Sequence, residues 1–72
     1  MSDSVYSVSE IVGSSTDSVD DAIRGAIKRA SRTLHNLDWF EVTQLRGRID
    51  DNERCEFQVT LKVGFRLDDR PG

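Results

Sequence analysis

The sequence predicts an α+β fold in the order strand, helix, strand, strand, with a three-stranded antiparallel sheet packed on one amphipathic helix. Three observations carry this prediction. Apolar residues recur at helical spacing between residues 17 and 36. Nearly complete alternation of apolar and polar residues follows over residues 54–67. A short polar turn joins the last two extended segments, which makes them an antiparallel hairpin.

The length of the chain limits how it can be stabilised. Its 72 residues make one domain, residues 1–72. A domain of this size is marginally stable alone and usually gains stability from disulfides, metals or oligomerisation. Cys55 is the only cysteine and His35 the only histidine, which argues against both an intrachain disulfide and a zinc site. Oligomerisation is therefore the expected source of additional stability.

Charge and hydropathy exclude two classes of partner. The net charge is −3, without a block of like charge, which argues against binding to nucleic acid. No apolar run approaches the roughly 18 residues of a membrane span. The first residues have neither the basic nor the apolar region of a signal peptide. We therefore expect a cytoplasmic protein, with reduced Cys55 and with no nucleic-acid or membrane partner.

The first strand and the helix are read from side-chain preference and from periodicity. Valine, isoleucine and tyrosine favour extended structure over residues 4–12, and Gly13 is expected to end this strand. Three hydroxyl residues then provide candidates for the helix N-cap: Ser14, Ser15 and Thr16. The helix is expected over residues 17–36. Its apolar stripe contains Val19, Ala22, Ile23, Ala26, Ile27, Ala30, Leu34 and Leu37.

The second strand is expected over residues 38–49 and the third over 54–67, joined by a turn at 50–53. One face of the third strand is apolar and is expected to pack on the helix, with Cys55 buried as a small apolar residue. A hairpin centred between Asp51 and Asn52 adds Phe40 and Val42 to this core. The same register places the following residues on the opposite face: Trp39, Glu41, Thr43, Leu45, Ile49, Gln58, Thr60, Lys62 and Gly64.

The polar face of the sheet carries the only tryptophan. Trp39 is expected to pair with Gly64, whose missing side chain leaves room beside the indole. Trp39 and Gln58 then lie roughly 20 Å apart along the ladder, at about 3.3 Å per residue. One small ligand would contact both only in a strongly bent sheet or between two subunits. A face that carries Trp39, Leu45 and Ile49 is expected to be covered by a ligand or by another subunit.

Several short motifs follow one another at nearly fixed spacing: Glu10-Ile11-Val12-Gly13, Arg32-Thr33-Leu34, Leu37-Asp38-Trp39-Phe40-Glu41-Val42, Leu45-Arg46-Gly47, Phe57-Gln58-Val59 and Lys62-Val63-Gly64-Phe65-Arg66-Leu67. Together they resemble the dodecin family, in particular its bacterial branch, over nearly the whole chain. The resemblance implies the strand-helix-strand-strand fold described above. It also implies assembly with copies of the same chain into a hollow homododecamer of cubic symmetry.

The resemblance implies a flavoprotein. Dodecins bind flavins as stacked pairs, and bacterial members favour flavin mononucleotide (FMN) over riboflavin or FAD. By resemblance Trp39 stacks on the isoalloxazine ring, Gln58 hydrogen-bonds the polar edge of the ring, and Arg46 lies near the phosphate. Contact with an electron-rich indole offers rapid quenching of the excited flavin. The implied function is therefore storage, buffering and photoprotection of FMN, without turnover.

A second ligand is implied in the same way. Some bacterial relatives bind coenzyme A, and the matching positions in this chain are Arg29, Thr33, Leu34, His35 and Arg66. At Ser7 the chain departs from the family, which often has a basic residue there. Without the resemblance, Arg46 and Arg66 read as surface charges or as partners in ion pairs between subunits.

Two other function classes remain as alternatives. In the first, the chain is a small homo-oligomeric interaction module that binds no flavin, and Trp39 serves only as a subunit interface. In the second, the chain is a redox enzyme that uses bound flavin. The sequence contains no nucleophile–base set, no glycine-rich phosphate loop and no metal-ligand spacing. We therefore predict a protein that is not an enzyme, with no catalytic residues and no metal site.

Overall fold

The computed structural model describes residues 3–68, which form three β-strands and one α-helix. In chain order these are β1 (Tyr6–Ser15), α1 (Val19–Ala30), β2 (Leu37–Ile49) and β3 (Cys55–Arg66). β3 is the central strand and pairs antiparallel with β1 on one side and with β2 on the other. The α+β prediction is confirmed. Within residues 3–68 no helix has the length and apolar composition needed to cross a membrane.

Gly13 does not end β1, because the strand continues to Ser15. Gly13 pairs with Val59 of β3 and is buried beneath the helix. A Cβ atom at this position would collide with the backbone oxygen of Ala22 and with the side chain of Ala26. The absence of a side chain at Gly13 therefore lets α1 pack directly against the strand.

The helix begins two residues later than predicted, at Val19, and its N-cap is Ser18. The Ser18 hydroxyl accepts a hydrogen bond from the Asp21 amide at 2.9 Å. Ser15, one of the predicted caps, instead organises the connection, since its hydroxyl accepts from the Asp17 amide at 2.9 Å and donates to the Asp21 carboxylate at 2.8 Å. The predicted N-cap at 14–16 is therefore wrong.

The helix ends at Ala30, six residues before the predicted end. The Ser31 hydroxyl donates to the Lys28 carbonyl at 2.7 Å, and the Leu34 amide donates to the Ala30 carbonyl at 2.9 Å, which closes a turn. Asn36 then adopts a positive φ of 65°, a conformation that asparagine tolerates better than most residues. This turn directs the chain into β2.

The hydrophobic core lies between α1 and the central strand. Its buried residues are Ala22, Val59, Leu61 and Val63. The helix packs on β1 and β3, so the side chains of β2 on the same face lie beside the core rather than within it. Phe40 is 47% exposed and Val42 is 42% exposed. Cys55 is exposed as well. The prediction that these three residues are buried is wrong, although each lies on the predicted face.

The predicted hairpin register holds for only part of the ladder. Trp39 pairs with Gly64, as predicted, and the register continues unchanged to Val42. Thr43 is then an extra residue, because the next pair is Gln44 with Thr60. Such a β-bulge moves every later side chain of the strand to the opposite face.

Because of the bulge, two residues that were predicted to lie on the same face as Trp39 lie on the other face. Leu45 pairs with Val59, and Ile49 pairs with Cys55, so both lie on the helix side of the sheet and not beside Trp39. They remain exposed, Leu45 at 56% and Ile49 at 77%. These exposed apolar residues of the β2–β3 hairpin therefore lie on the helix side of the sheet, on the opposite face from Trp39.

Candidate ligand-binding site

The face of the sheet away from α1, called here the open face, is formed by alternate residues of all three strands. From β1 it takes Tyr6, Val8, Glu10, Val12 and Ser14; from β2 Trp39, Glu41, Gln44, Arg46 and Arg48; and from β3 Glu56, Gln58, Thr60, Lys62, Gly64 and Arg66. The candidate residues Trp39, Gln58 and Arg46 all lie on this face.

Trp39 lies against Gly64. The three atoms nearest to a Cβ position at Gly64 all belong to the six-membered ring of the indole. The indole thus fills the space that we expected to be left beside it. Trp39 nevertheless remains 43% exposed, so part of the aromatic surface stays open to a ligand.

Tyr6 is the second aromatic residue of this region. Its ring centroid lies 5.2 Å from that of Trp39, with an interplanar angle of 61°, which is an edge-to-face arrangement. Tyr6 was not among the predicted site residues, because the sequence pattern does not show that the first strand pairs with the third. The signal that could have identified Tyr6 was an aromatic residue near the end of an edge strand, on the open face of the sheet.

Gln58 and Arg46 are direct cross-strand partners. The bulge at Thr43 creates this pair, since without it Leu45 would stand opposite Gln58. Ser14 flanks Gln58 on the other side. The result is a row of polar side chains across the open face. Gln58 supplies an amide that both donates and accepts, and Arg46 supplies a planar array of donors suited to an anion.

The structure does not bring Trp39 to this polar row. Gly64, the partner of Trp39, and Gln58 are six positions apart on the same strand. At about 3.3 Å per residue the two ends of the open face are roughly 20 Å apart. A compact ligand that contacts both an indole and a Gln58–Arg46 pair must therefore take them from two different chains.

The five residues predicted for a second ligand lie around the turn that follows α1. Thr33, Leu34, His35 and Arg66 line one groove of about 220 Å³. Arg29 lines an adjoining groove of about 500 Å³, and Thr33 and Leu34 also contribute to it. The two grooves share Thr33 and Leu34, and an arginine lines each of them.

Comparisons with known proteins agree with this architecture. The Dodecin family model matches residues 5–68. The dodecin of Thermus thermophilus is 48% identical over 65 residues, which cover 90% of this chain and 94% of that protein. The solved dodecin from Streptomyces davaonensis is 57% identical, with a TM-score of 0.89, over 94% of this chain and 100% of that one. The solved dodecin from Streptomyces coelicolor is 56% identical, with a TM-score of 0.88, over 97% of this chain and 100% of that one.

Proposed function

This chain belongs to the dodecin family, and from that premise we propose that it binds FMN and stores it in a homododecamer without converting it. Dodecins are small binding proteins rather than enzymes, and their general ligand is flavin. The observation that carries the proposal is Trp39, whose indole lies against Gly64 while the residue remains 43% exposed.

The exposed indole suits a large planar ring. Aromatic pairs are worth about 0.5–1.5 kcal/mol beyond the apolar area that they bury, and offset stacking is among their favoured geometries. The isoalloxazine ring of flavin offers an extended flat surface for this contact. Two chains that face each other would enclose a pair of stacked flavins between their tryptophans.

Gln58 and Arg46 provide the polar part of the proposed site. The carboxamide of Gln58 has both donors and an acceptor, which match the mixed donors and acceptors on the polar edge of isoalloxazine. The guanidinium of Arg46 matches a phosphate by bidentate, charge-assisted hydrogen bonds. Because this pair lies roughly 20 Å from Trp39 in one chain, we infer that each site combines Trp39 of one subunit with Gln58 and Arg46 of another.

Contact with the indole also gives the proposed storage a protective effect. An excited flavin in van der Waals contact with an electron-rich indole can return to its ground state by rapid electron exchange with that ring. Bound FMN is therefore expected to be non-fluorescent and protected from its own photochemistry. Riboflavin and FAD share the same ring and are expected to bind at the same place.

The grooves around the turn after α1 favour coenzyme A as a second ligand. Arg29 and Arg66 carry guanidinium groups that suit phosphates. Thr33 and Leu34 line both grooves, and His35 lines the one that contains Arg66. Because the two grooves share lining residues, an elongated ligand that lies over Thr33 and Leu34 would reach both arginines. This second binding activity is proposed in addition to flavin storage and uses a separate surface.

Replacement of Trp39 tests the proposed function. In a Trp39→Ala variant the stacking contact is gone, so FMN should bind at least roughly tenfold more weakly, and bound FMN should regain fluorescence. Phe40→Ala is the matched control, because Phe40 is an adjacent aromatic residue of similar exposure on the other face of the sheet. Binding and quenching are measured by fluorescence titration. Equal quenching by the wild type and Trp39→Ala would remove Trp39 from the site.

A further inference from the structure

We propose that Gly64 and Tyr6 form a seat that holds the indole of Trp39 flat on the sheet, so that one aromatic face is presented to a planar ligand. The inference rests on the proposed function and deepens it, because it assigns two positioning residues to the stacking site. Neither residue has to contact the flavin. Their role is to fix the ring that does.

The geometry at Gly64 shows how the indole lies. The three atoms nearest to the Cβ position are Cε2, Cζ2 and Cη2 of Trp39, at nearly equal distances. These atoms are consecutive members of the six-membered ring. Points equidistant from three consecutive atoms of a regular ring lie on the axis through its centre, perpendicular to its plane. A Cβ at this position would therefore stand over the ring face, and the ring lies flat on the backbone of Gly64.

A side chain at position 64 would displace the indole and not the strand. The nearest atoms belong to the outer end of a single side chain, which can rotate away. The situation at Gly13 is different, because there the nearest atom is the backbone oxygen of Ala22 in the helix. Gly13 thus serves the packing of the fold, whereas Gly64 serves the position of one aromatic ring.

Tyr6 limits the movement of the indole from the other side of β3. It belongs to β1, whereas Trp39 belongs to β2, so the indole reaches across the central strand to meet it. The centroid distance of 5.2 Å and the angle of 61° give a favourable edge-to-face contact. With one face on Gly64 and an aromatic neighbour at Tyr6, the outward face of the ring is left for a ligand.

The consequence for binding is preorganisation. A side chain that is already held in one orientation loses less rotational freedom when a ligand stacks on it. If the seat is removed, the indole is still present, but it must be ordered by the ligand. We therefore expect the loss of Gly64 or Tyr6 to weaken FMN binding and to reduce quenching while the sheet remains intact.

The test compares Gly64→Ala with Gly25→Ala. Gly25 lies on the helix, and a Cβ there meets nothing within 4 Å, so the control makes the same chemical change in open space. Trp39 is the only tryptophan, which makes its fluorescence a direct probe of the ring in the flavin-free protein. Gly64→Ala should shift this emission to longer wavelength and weaken FMN binding by roughly tenfold. Gly25→Ala should change neither, and far-ultraviolet circular dichroism should match the wild type in both variants.

A second pair of variants keeps the test decisive if Gly64→Ala does not fold. Tyr6→Phe retains the edge-to-face ring and should behave as the wild type, whereas Tyr6→Leu removes it and should reproduce the emission shift and the weaker binding. Wild-type emission and FMN affinity in Tyr6→Leu, and in Gly64→Ala if it folds, would show that these two residues do not position the indole. If the wild type binds no FMN but the variants still shift the emission, the seat stands and the proposed function fails.

Discussion

Arg46 and Arg48 differ in what faces them, although both lie on the same strand and the same face. Arg48 pairs across the sheet with Glu56, and its Nη1 lies 3.7 Å from the Oε1 of that carboxylate. Arg46 stands opposite the neutral side chain of Gln58. The guanidinium of Arg46 faces a neutral amide, whereas that of Arg48 already faces a carboxylate that competes with an incoming anion. We therefore propose Arg46, and not Arg48, as the phosphate ligand.

This difference predicts a ligand-dependent effect. Arg46→Gln should lower the affinity for FMN by roughly tenfold or more, because a hydrogen bond to a charged group contributes about 1.5–3 kcal/mol. The affinity for riboflavin, which has the same ring without the phosphate, should stay close to that of the wild type. Arg48→Gln is the matched control and should bind both ligands as the wild type does. An equal loss for FMN and riboflavin in Arg46→Gln would place Arg46 away from the phosphate.

At the scale of the elements, the close packing of α1 on β1 depends on Gly13. The helix presents Ala22, which is fully buried, and Ala26 to this strand. Small residues on both sides bring the two backbones together, and the side chains of Val59 and Leu61 complete the core beside them. A methyl group at Gly13 would have to move the helix backbone, which is held by its own hydrogen bonds.

Gly13→Ala should therefore destabilise the fold by about 1–3 kcal/mol, the usual cost of overpacking a tight core. Gly25→Ala is the control and should stabilise the helix by up to about 1 kcal/mol, because alanine replaces glycine at an exposed helical position. Both values follow from the midpoints of urea denaturation at constant protein concentration. A Gly13→Ala midpoint equal to that of the wild type would show that the helix does not need this close approach.

Periodicity predicted the elements of this fold, and local chemistry explains where the prediction failed. Alternation along β3 reports which face is buried, so Val59, Leu61 and Val63 were assigned correctly. The helix boundaries depend on hydrogen bonds of individual serines and on the turn at Asn36. The spacing of apolar residues carries no information about either. The bulge at Thr43 leaves no periodic signal before it shifts the register, and so Leu45 and Ile49 were placed on the wrong face.

In the candidate site too, the hairpin register could be predicted from the sequence, whereas contacts with other elements and ligand roles could not. The pairing of Trp39 with Gly64 followed from the hairpin alone and is confirmed. The contact of Trp39 with Tyr6 required the position of β1, which no hairpin argument supplies. The ligand roles of Trp39, Gln58 and Arg46 rest on family resemblance, because a tryptophan considered alone is more often a core or subunit-interface residue.

At the scale of the whole molecule, large exposed apolar side chains outnumber the buried core residues within residues 3–68. The large exposed ones are Val5, Tyr6, Val8, Val12, Trp39, Phe40, Val42, Leu45, Ile49 and Leu67. They occupy both faces of the sheet, with Trp39 on the open face and Leu45 and Ile49 on the helix side. A two-fold dimer buries one self-complementary patch per chain. Two patches on opposite faces therefore favour a larger closed assembly, in keeping with the proposed homododecamer.

The most direct test of flavin storage is a fluorescence titration of FMN into the flavin-free protein, with the complex sized by light scattering. We expect strong quenching that saturates near one FMN per subunit, in a closed particle of about twelve chains. An oligomer that leaves FMN fluorescence unchanged and binds no flavin would contradict the account. It would then identify the chain as an interaction module in which Trp39 serves only to pack subunits together.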